Sequence, residues 1–484
     1  MFGGSGSALP PIDGGGFGTF STASSLHPVM SQRRHRVLGL LVASAFVIVM
    51  LARPALAHGG GFGAGAREAV TIPTWLVLLT GGAAVGASFL LASLVTDRQL
   101  IRAIDGWRRA FPAPGRVLTI LVRAFGVVAL VATVAVGVAG PQDGRGNLAL
   151  LVVWVGWWAG YTMTAYLAGN TWRVLNPWRT IAGVLPTLDR DYPQRVGAWP
   201  ATLALLALVW LEVTSPIADA PRLLTGVVVA YTAITLAGAA VYGPESWFRR
   251  ADPVARVFDH YGRVAPLARD GGTLAVRLPG VGLSKMTLAN ASQVAFVVAL
   301  LWVTTFDGFV RTQAWASLAD ATTQAGVPLG VLYPAALLAG FGLFLGVFRA
   351  AARASQRVAD TPLTTGTLAR QFAPSLLAIA AGYHLAHYLG YFISLAPRLA
   401  VVASAPLEPT VVGALALPAW FDLVGMVAIL VGHLLAIWVA HATAYDVFPG
   451  RLQAIRSQYP FIAVMVFYTM TSLWIIAQPE VATP

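Results

Sequence analysis

The chain of 484 residues contains no cysteine, and charged residues make up only 11% of it. The lack of cysteine excludes disulfide bonds, thiolate metal ligands and cysteine nucleophiles. A soluble domain carries roughly 25% charged residues, so the shortage of charge argues against that class of protein. The sequence has a single lysine, Lys285, and it contains neither a P-loop nor a dinucleotide-binding fingerprint.

Apolar sequence is what the chain has in abundance: 57% of its residues are hydrophobic, and the mean hydropathy is +0.70. Runs of about 20 apolar residues, enough to cross ~30 Å of hydrocarbon, recur along it. The sequence therefore predicts an all-α polytopic transmembrane helix bundle in the lipid bilayer, with residues 73–484 as one integral membrane domain. The ten predicted spans are residues 73–95, 115–139, 148–169, 199–217, 223–242, 292–308, 327–348, 373–395, 419–442 and 460–477.

Residues 1–57 precede the first predicted span, and they are typical of a disordered tail followed by a signal peptide. The tail is rich in glycine, serine and proline, and Met30 is a possible true start. A basic cluster, an apolar run and the sequence ALA at positions 55–57 fit a cleavage site. Cleavage would make His58 the first mature residue, ahead of a glycine-rich extracytoplasmic segment, 58–72. An uncleaved anchor helix is the alternative.

Arginine is concentrated in alternate loops of the predicted bundle. By the positive-inside rule these loops are cytoplasmic, which leaves the mature N-terminus and the C-terminus extracytoplasmic. The net charge of +12 then reflects loop orientation, and no nucleic acid partner is expected. In the largest of these loops, Trp247 and Phe248 beside two arginines predict a short helix at the headgroup boundary. The arginine-rich loops are residues 96–114, 170–198, 243–291, 349–372 and 443–459.

Three histidines fall near the middle of two successive predicted spans. His384 and His387 lie three residues apart and so share a helix face, and His433 lies at a similar depth in the next span. Three histidine ligands with one open position are the pattern of a catalytic zinc site, and imidazole also suits copper or iron. The alternatives are hydrogen bonds between neighbouring helices and a haem held by His387 and His433.

Three acidic residues, Glu212, Asp307 and Asp422, fall in the half of their spans that is predicted to face outward. Asp422 or Glu212 could orient a metal ligand or act as a general base. Contact with water at the end of a span is the alternative for each acid. His58, as a first mature residue, would offer an amine and an imidazole that together chelate copper.

The third predicted span carries polar residues on an otherwise apolar helix, among them Tyr161 and Tyr166. The residues that follow, 170–179, combine tryptophan, arginine and asparagine, which predicts an anchor at the membrane boundary. A site for an anionic headgroup or ligand is the alternative.

Six segments resemble a family of polytopic membrane proteins of bacteria and archaea whose members are commonly labelled fenitrothion hydrolase. They are AHG at 57–59, WRVLNPWRTI at 172–181, TTFDGF at 304–309, GYHLAHYLGYFI at 382–393, GHLLAIWVAHATAYDVF at 432–448 and QYPFIAVMVFYTMTSLWII at 458–476. The family reads AHDRA where this chain reads AHATA at 440–444, so the acid after His441 is missing.

The resemblance implies a cell (inner) membrane enzyme that hydrolyses a small apolar organophosphorus triester. The predicted histidine site is compatible with that chemistry, because a metal-bound water could attack phosphorus. His384, His387 and His433 would then hold an unidentified divalent metal, zinc or copper being the leading candidates. A transporter for copper, another cation or protons, built from the same histidines and acids, is the alternative function. A haem electron carrier is a third.

Overall fold

The computed structural model describes residues 74–144, 146–270, 273–410 and 412–478, together with Met1. The predicted leader, His58 and the glycine-rich segment 58–72 lie outside these residues. All the elements below belong to the unit Gly59–Pro484.

Helices dominate the described residues. In chain order they are α1 Thr74–Leu94, α2 Arg98–Gly106, α3 Arg116–Ala139, α4 Leu148–Leu150, α5 Thr162–Leu167, α6 Trp172–Leu175, α7 Pro177–Ala182, α8 Trp199–Thr214, α9 Pro221–Tyr242, α10 Pro244–Arg250, α11 Pro253–Val264, α12 Val281–Ser284, α13 Ala291–Phe309, α14 Gln313–Gln324, α15 Leu329–Val358, α16 Thr365–Phe372, α17 Leu376–Ser404, α18 Phe421–Val447 and α19 Arg451–Ile476. A π-helical segment, Leu151–Tyr161, joins α4 to α5, and short 3-10 turns cover Pro216–Ala218 and Ala373–Ser375.

Nine helices within the described ranges are long and apolar enough to cross a membrane. This confirms a helical bundle, and the length and composition of these helices fit a polytopic membrane protein. The fourth predicted span, 199–217, corresponds to the shorter apolar helix α8 of 16 residues. At about 1.5 Å per residue, α8 reaches ~24 Å, less than the hydrocarbon thickness of a bilayer.

A small antiparallel sheet, which the sequence analysis did not predict, is present in two of the loops. Strands β1 Arg108–Pro112, β2 Leu267–Asp270 and β3 Thr273–Arg277 are ordered β1-β3-β2, with Arg108 opposite Arg277 and Leu267 opposite Val276. The sequence DGG at 270–272 is a hairpin signal between β2 and β3. The purely helical prediction was therefore wrong for these short segments.

Helix α13 is the most enclosed of the spanning helices, whereas α3 is the least covered by protein. Large apolar side chains such as Leu121 and Phe125 on α3 are exposed, as expected of a lipid-facing helix. Helices α17 and α18 cross at two glycines. A β-carbon at Gly382 would lie 2.7 Å from the Ala428 carbonyl oxygen, and one at Gly432 would lie 2.7 Å from that of Ala378. Their backbones therefore approach closely, as at small-residue contacts in membranes.

The largest predicted loop forms short helices, as expected, and part of this loop is enclosed by protein. Phe248 is completely buried, and the Arg179 guanidinium lies 4.9 Å from the centre of its ring. Helix α11 packs between α5, α8 and α17, with Phe258 and Tyr261 buried. The Phe248 ring is therefore enclosed by protein, and the position of these helices at a headgroup boundary stays a prediction.

Candidate functional site

A buried carboxylate, Asp307, lies in the last turn of α13 and joins two helices. One carboxylate oxygen accepts a hydrogen bond from Arg311 Nη2 at 3.1 Å, one helical turn further along the chain. The other accepts from Tyr388 OH at 2.7 Å and lies 3.0 Å from His387 Nε2. The His387 side chain is 6% exposed, and that of Arg311 is 34% exposed. The group therefore extends from the protein interior toward the surface.

Glu212 of α8 lies within electrostatic range of both Asp307 and Arg311. Two carboxylates and one guanidinium give these three side chains a formal charge of −1. Uncompensated charge is costly inside a membrane protein, so one further positive charge stabilises the group. A proton on His387 or on Glu212 supplies that charge.

His384 lies one turn from His387 on α17 and belongs to a second set of contacts. Its Nδ1 lies 3.0 Å from Tyr166 OH of α5. Its ring lies 4.6 Å from the Tyr388 ring and 5.8 Å from the Tyr261 ring, measured between centroids. His384 Nε2 is buried and has no hydrogen-bond partner among the described residues. Tyr388 therefore contacts both histidines of α17, since its ring lies 4.7 Å from that of His387.

The π-helical segment forms one wall of this site. Its Trp158 ring lies 5.6 Å from the His384 ring and 6.2 Å from the Tyr388 ring. A β-carbon at Gly160 would lie 2.5 Å from the Phe392 ring of α17, so the segment contacts α17 closely. π-helical turns are rare and are found frequently at functional sites.

His433 is not brought into this group. Its Nδ1 donates to the Ile429 carbonyl oxygen of its own helix at 2.8 Å, and its Nε2 is buried without a partner in the described part of the chain. The described residues contain no group of three histidine, cysteine, aspartate or glutamate side chains arranged to hold a metal. His384, His387 and His433 therefore do not form the shared ligand set that the sequence predicts, because His387 pairs with Asp307 and His433 bonds its own helix.

Two other predicted site residues lie elsewhere. Asp422 is exposed in the first turn of α18, whereas Glu212 is half-buried and near Asp307. Of the two predicted supporting acids, only Glu212 therefore contributes to the field around Asp307. The copper site proposed for His58 lies outside the described residues.

His441 has a structural position. Its Nε2 donates to the Val95 carbonyl oxygen at 2.9 Å, and its Nδ1 lies 3.2 Å from Gln458 Oε1. It thereby joins α18 to α19 and to the end of α1.

Arg311 and Tyr261 were not predicted as functional candidates. The spacing of four residues between Asp307 and Arg311 is a signal for an ion pair on one helix face. Tyr388 directly follows His387, but its role depends on α13, which sequence alone does not place. Tyr261 belongs to a loop helix whose burial the sequence does not reveal.

Outside the spanning segments, burial in α11 sets the protonation of two side chains. Burial, together with the nearby Arg256 charge, lowers the pKa of His260 to about 3, so this imidazole is neutral near pH 7. Burial raises the pKa of Tyr261, which keeps its phenol protonated. Tyr261 is therefore a hydrogen-bond donor beside His384, and its OH has no partner among the described residues.

Comparisons of the chain with protein-family models, with curated proteins and with solved structures found no match.

Proposed function

We propose that the protein moves protons through its helical bundle and that Glu212, Asp307, Arg311 and His387 form the proton-binding site. The observation that carries this proposal is the ion pair of Asp307 with His387 and Arg311 inside a bundle of membrane type. Ionisable residues within spanning helices are rare and typical of proton relays and ion paths.

The arrangement of charges supports a proton as the transported species. The three charged side chains require one more positive charge, which a proton on the His387 imidazole would supply. With a proton on His387, the charges of Asp307, Glu212, Arg311 and His387 sum to zero; without it, their net charge of −1 favours the return of a proton. Tyr388 contacts the rings of His387 and His384, so the polar contacts continue beyond the Asp307 group.

The experiment is a proton-flux measurement in proteoliposomes loaded with a pH-sensitive dye, with a potassium diffusion potential as the driving force. The wild-type protein is expected to carry protons above the level of protein-free liposomes, and Asp307→Asn is expected to lose this flux. Asp320→Asn is the matched control, because Asp320 is an exposed acid of the adjoining helix α14. Wild-type flux equal to that of protein-free liposomes would contradict the proposal.

A second candidate is the hydrolysis of phosphotriesters, which the family resemblance implies. The observation that favours it is the 3.0 Å contact between His387 Nε2 and the Asp307 carboxylate, since an aspartate that orients a histidine is a common general-base arrangement. His387 would take a proton from water while the water oxygen bonds to phosphorus. The phosphorus–oxygen bond to the leaving group would then break.

The hydrolase candidate is tested with solubilised protein and a nitrophenyl phosphotriester. Release of nitrophenolate by the wild type, and its loss in His387→Gln, would support hydrolysis. The absence of turnover by protein that conducts protons would exclude this candidate and leave proton movement as the function.

A further inference from the structure

A second aspartate–arginine pair joins Asp259 of α11 to Arg173 of α6. The Asp259 carboxylate accepts hydrogen bonds from Arg173 Nε at 2.8 Å and from Asn170 Nδ2 at 2.9 Å. Arg173 is 62% exposed and Asp259 is 23% exposed, so water reaches this pair. It resembles the pair of Asp307 with Arg311, in which the arginine is also the more exposed partner.

Residues 166–173 run along α11 and connect this pair to the buried histidine. At one end, the Tyr166 ring packs edge-on against Tyr261 at 5.3 Å. A β-carbon at Gly262 would lie 2.4 Å from the Asn170 side chain, so the two segments touch there. Trp172 stacks on Phe258 at 4.9 Å, next to Asp259.

Polar side chains in contact therefore lead from the Asp307 pair as far as Tyr166 and Tyr261, and segment 166–173 covers the remaining distance to the Asp259 pair. The set of side chains begins at Asp307, passes Tyr388 and His384, and reaches the two tyrosines, Tyr166 and Tyr261. In segment 166–173, Asn170 packs on Gly262, Trp172 on Phe258, and Arg173 pairs with Asp259. The unpartnered polar atoms in the middle, His384 Nε2 and Tyr261 OH, are both fully buried. Buried polar atoms without a hydrogen-bond partner are costly, so their presence calls for an explanation.

We propose that the Arg173–Asp259 pair is a gate that closes the α11 end of the path that begins at Asp307. The gate deepens the proposed proton path and rests on it. When Arg173 releases Asp259, segment 166–173 is free to separate from α11 and to open Tyr261 and His384 to water. A cation that reaches Asp259 from solvent competes with Arg173 for the carboxylate. Opening of the gate is thereby coupled to the charge that the path carries.

The chain offers a direct test, because it lacks cysteine. His384→Cys introduces a single thiol at the middle of the path. Silver ion, a small thiol reagent, is added to the detergent-solubilised protein for increasing times, and the remaining thiol is counted with a maleimide mass tag after unfolding. Adding Arg173→Ala is expected to speed the silver reaction roughly fivefold, the effect of removing a partly exposed ion pair.

Arg179→Ala is the matched control. It removes the Arg179–Glu245 pair, which has an N–O distance of 2.7 Å and lies six residues further along the same loop but off the path. The control is expected to leave the silver rate unchanged. Should His384→Cys fail to give a monodisperse protein, Tyr166→Cys places the thiol at the next position of the path.

Equal silver rates with and without Arg173→Ala would overturn the gate. So would an equal acceleration by Arg179→Ala, or a thiol that does not react with silver in any variant. The readout is access to the thiol and not proton flux. A protein that passes this test but conducts no protons would refute the proposed function alone, and one that conducts protons but fails this test would refute the gate alone.

Discussion

At the residue scale, Asp307 has three donors around its carboxylate, and the character of these donors determines what the site can do. Arg311 is permanently charged, Tyr388 is a neutral donor, and His387 carries an imidazole that can hold a second proton. Glu212 adds a second negative charge nearby. The site is therefore suited to binding one proton at a time.

A residue-scale prediction concerns metal. Because His433 Nδ1 is bonded to its own helix and His387 to Asp307, the metal content of the purified protein should not depend on the three histidines together. Metal analysis by mass spectrometry of the wild type and of a His384→Ala/His387→Ala/His433→Ala variant is expected to give equal values. About one zinc or copper per chain in the wild type, lost in the triple variant, would restore the metal hypothesis.

The candidate site was only partly predictable at this scale. The spacing of His384 and His387 predicted that both lie on one helix face. In the structure both histidine rings contact the ring of Tyr388. Equal depth did not bring His433 to them, because depth does not define the rotation of a helix about its own axis. The partner of His387 is Asp307, from a helix whose neighbours the sequence does not specify.

At the scale of elements, the crossing of α17 and α18 holds the histidine helix in place. Gly382 and Gly432 face each other at this crossing, and each lies against a backbone carbonyl of the other helix. His384 follows Gly382 by two residues, so the position of the histidine depends on this close contact.

Gly382→Ala is therefore expected to destabilise the protein by about 1–3 kcal/mol, the usual cost of overpacking. Gly342→Ala on α15 is the control, because no atom lies within 4 Å of its added β-carbon, and helix propensity favours alanine there. Thermal unfolding in detergent measures both variants. A midpoint for Gly382→Ala at or above that of Gly342→Ala would show that the crossing tolerates a side chain.

Elements that depend on their own sequence were predictable, whereas elements that depend on distant partners were not. Apolar runs of sufficient length mark most spanning helices, since a helix satisfies its own backbone hydrogen bonds. Strand β1 requires β3 from a loop far along the chain. Helix α11 carries arginine and histidine, so its burial between α5, α8 and α17 is not readable from its composition.

At the scale of the whole molecule, the distribution of arginine predicts how the bundle lies in the membrane. Helix α15 has 30 residues, about 45 Å at 1.5 Å per residue, and its last ten residues carry Arg349, Arg353 and Arg357. By the positive-inside rule its C-terminal end is cytoplasmic. The Asp307 end of α13 is then predicted to face outward, and the Arg173–Asp259 pair to face the cytoplasm.

This orientation is tested by single thiols in the cysteine-free chain. Gln324→Cys and Val358→Cys replace two exposed residues. Gln324 lies shortly before the N-terminal end of α15, and Val358 is the last residue of α15. A maleimide that cannot cross membranes, added outside intact cells, should label the thiol of Gln324→Cys and leave that of Val358→Cys unmodified until the membrane is broken. The reverse pattern would invert the predicted topology.

The central claim is that the Asp307 group holds a proton that moves, and His387→Lys tests it most directly. Lysine keeps a positive charge beside the two carboxylates but binds its proton far more tightly than histidine does. The account predicts that this variant unfolds near the wild-type temperature, while its proton flux in liposomes falls to that of protein-free liposomes. A folded His387→Lys variant that conducts protons at the wild-type rate would contradict the account, because the proton of His387 would then play no part in transport.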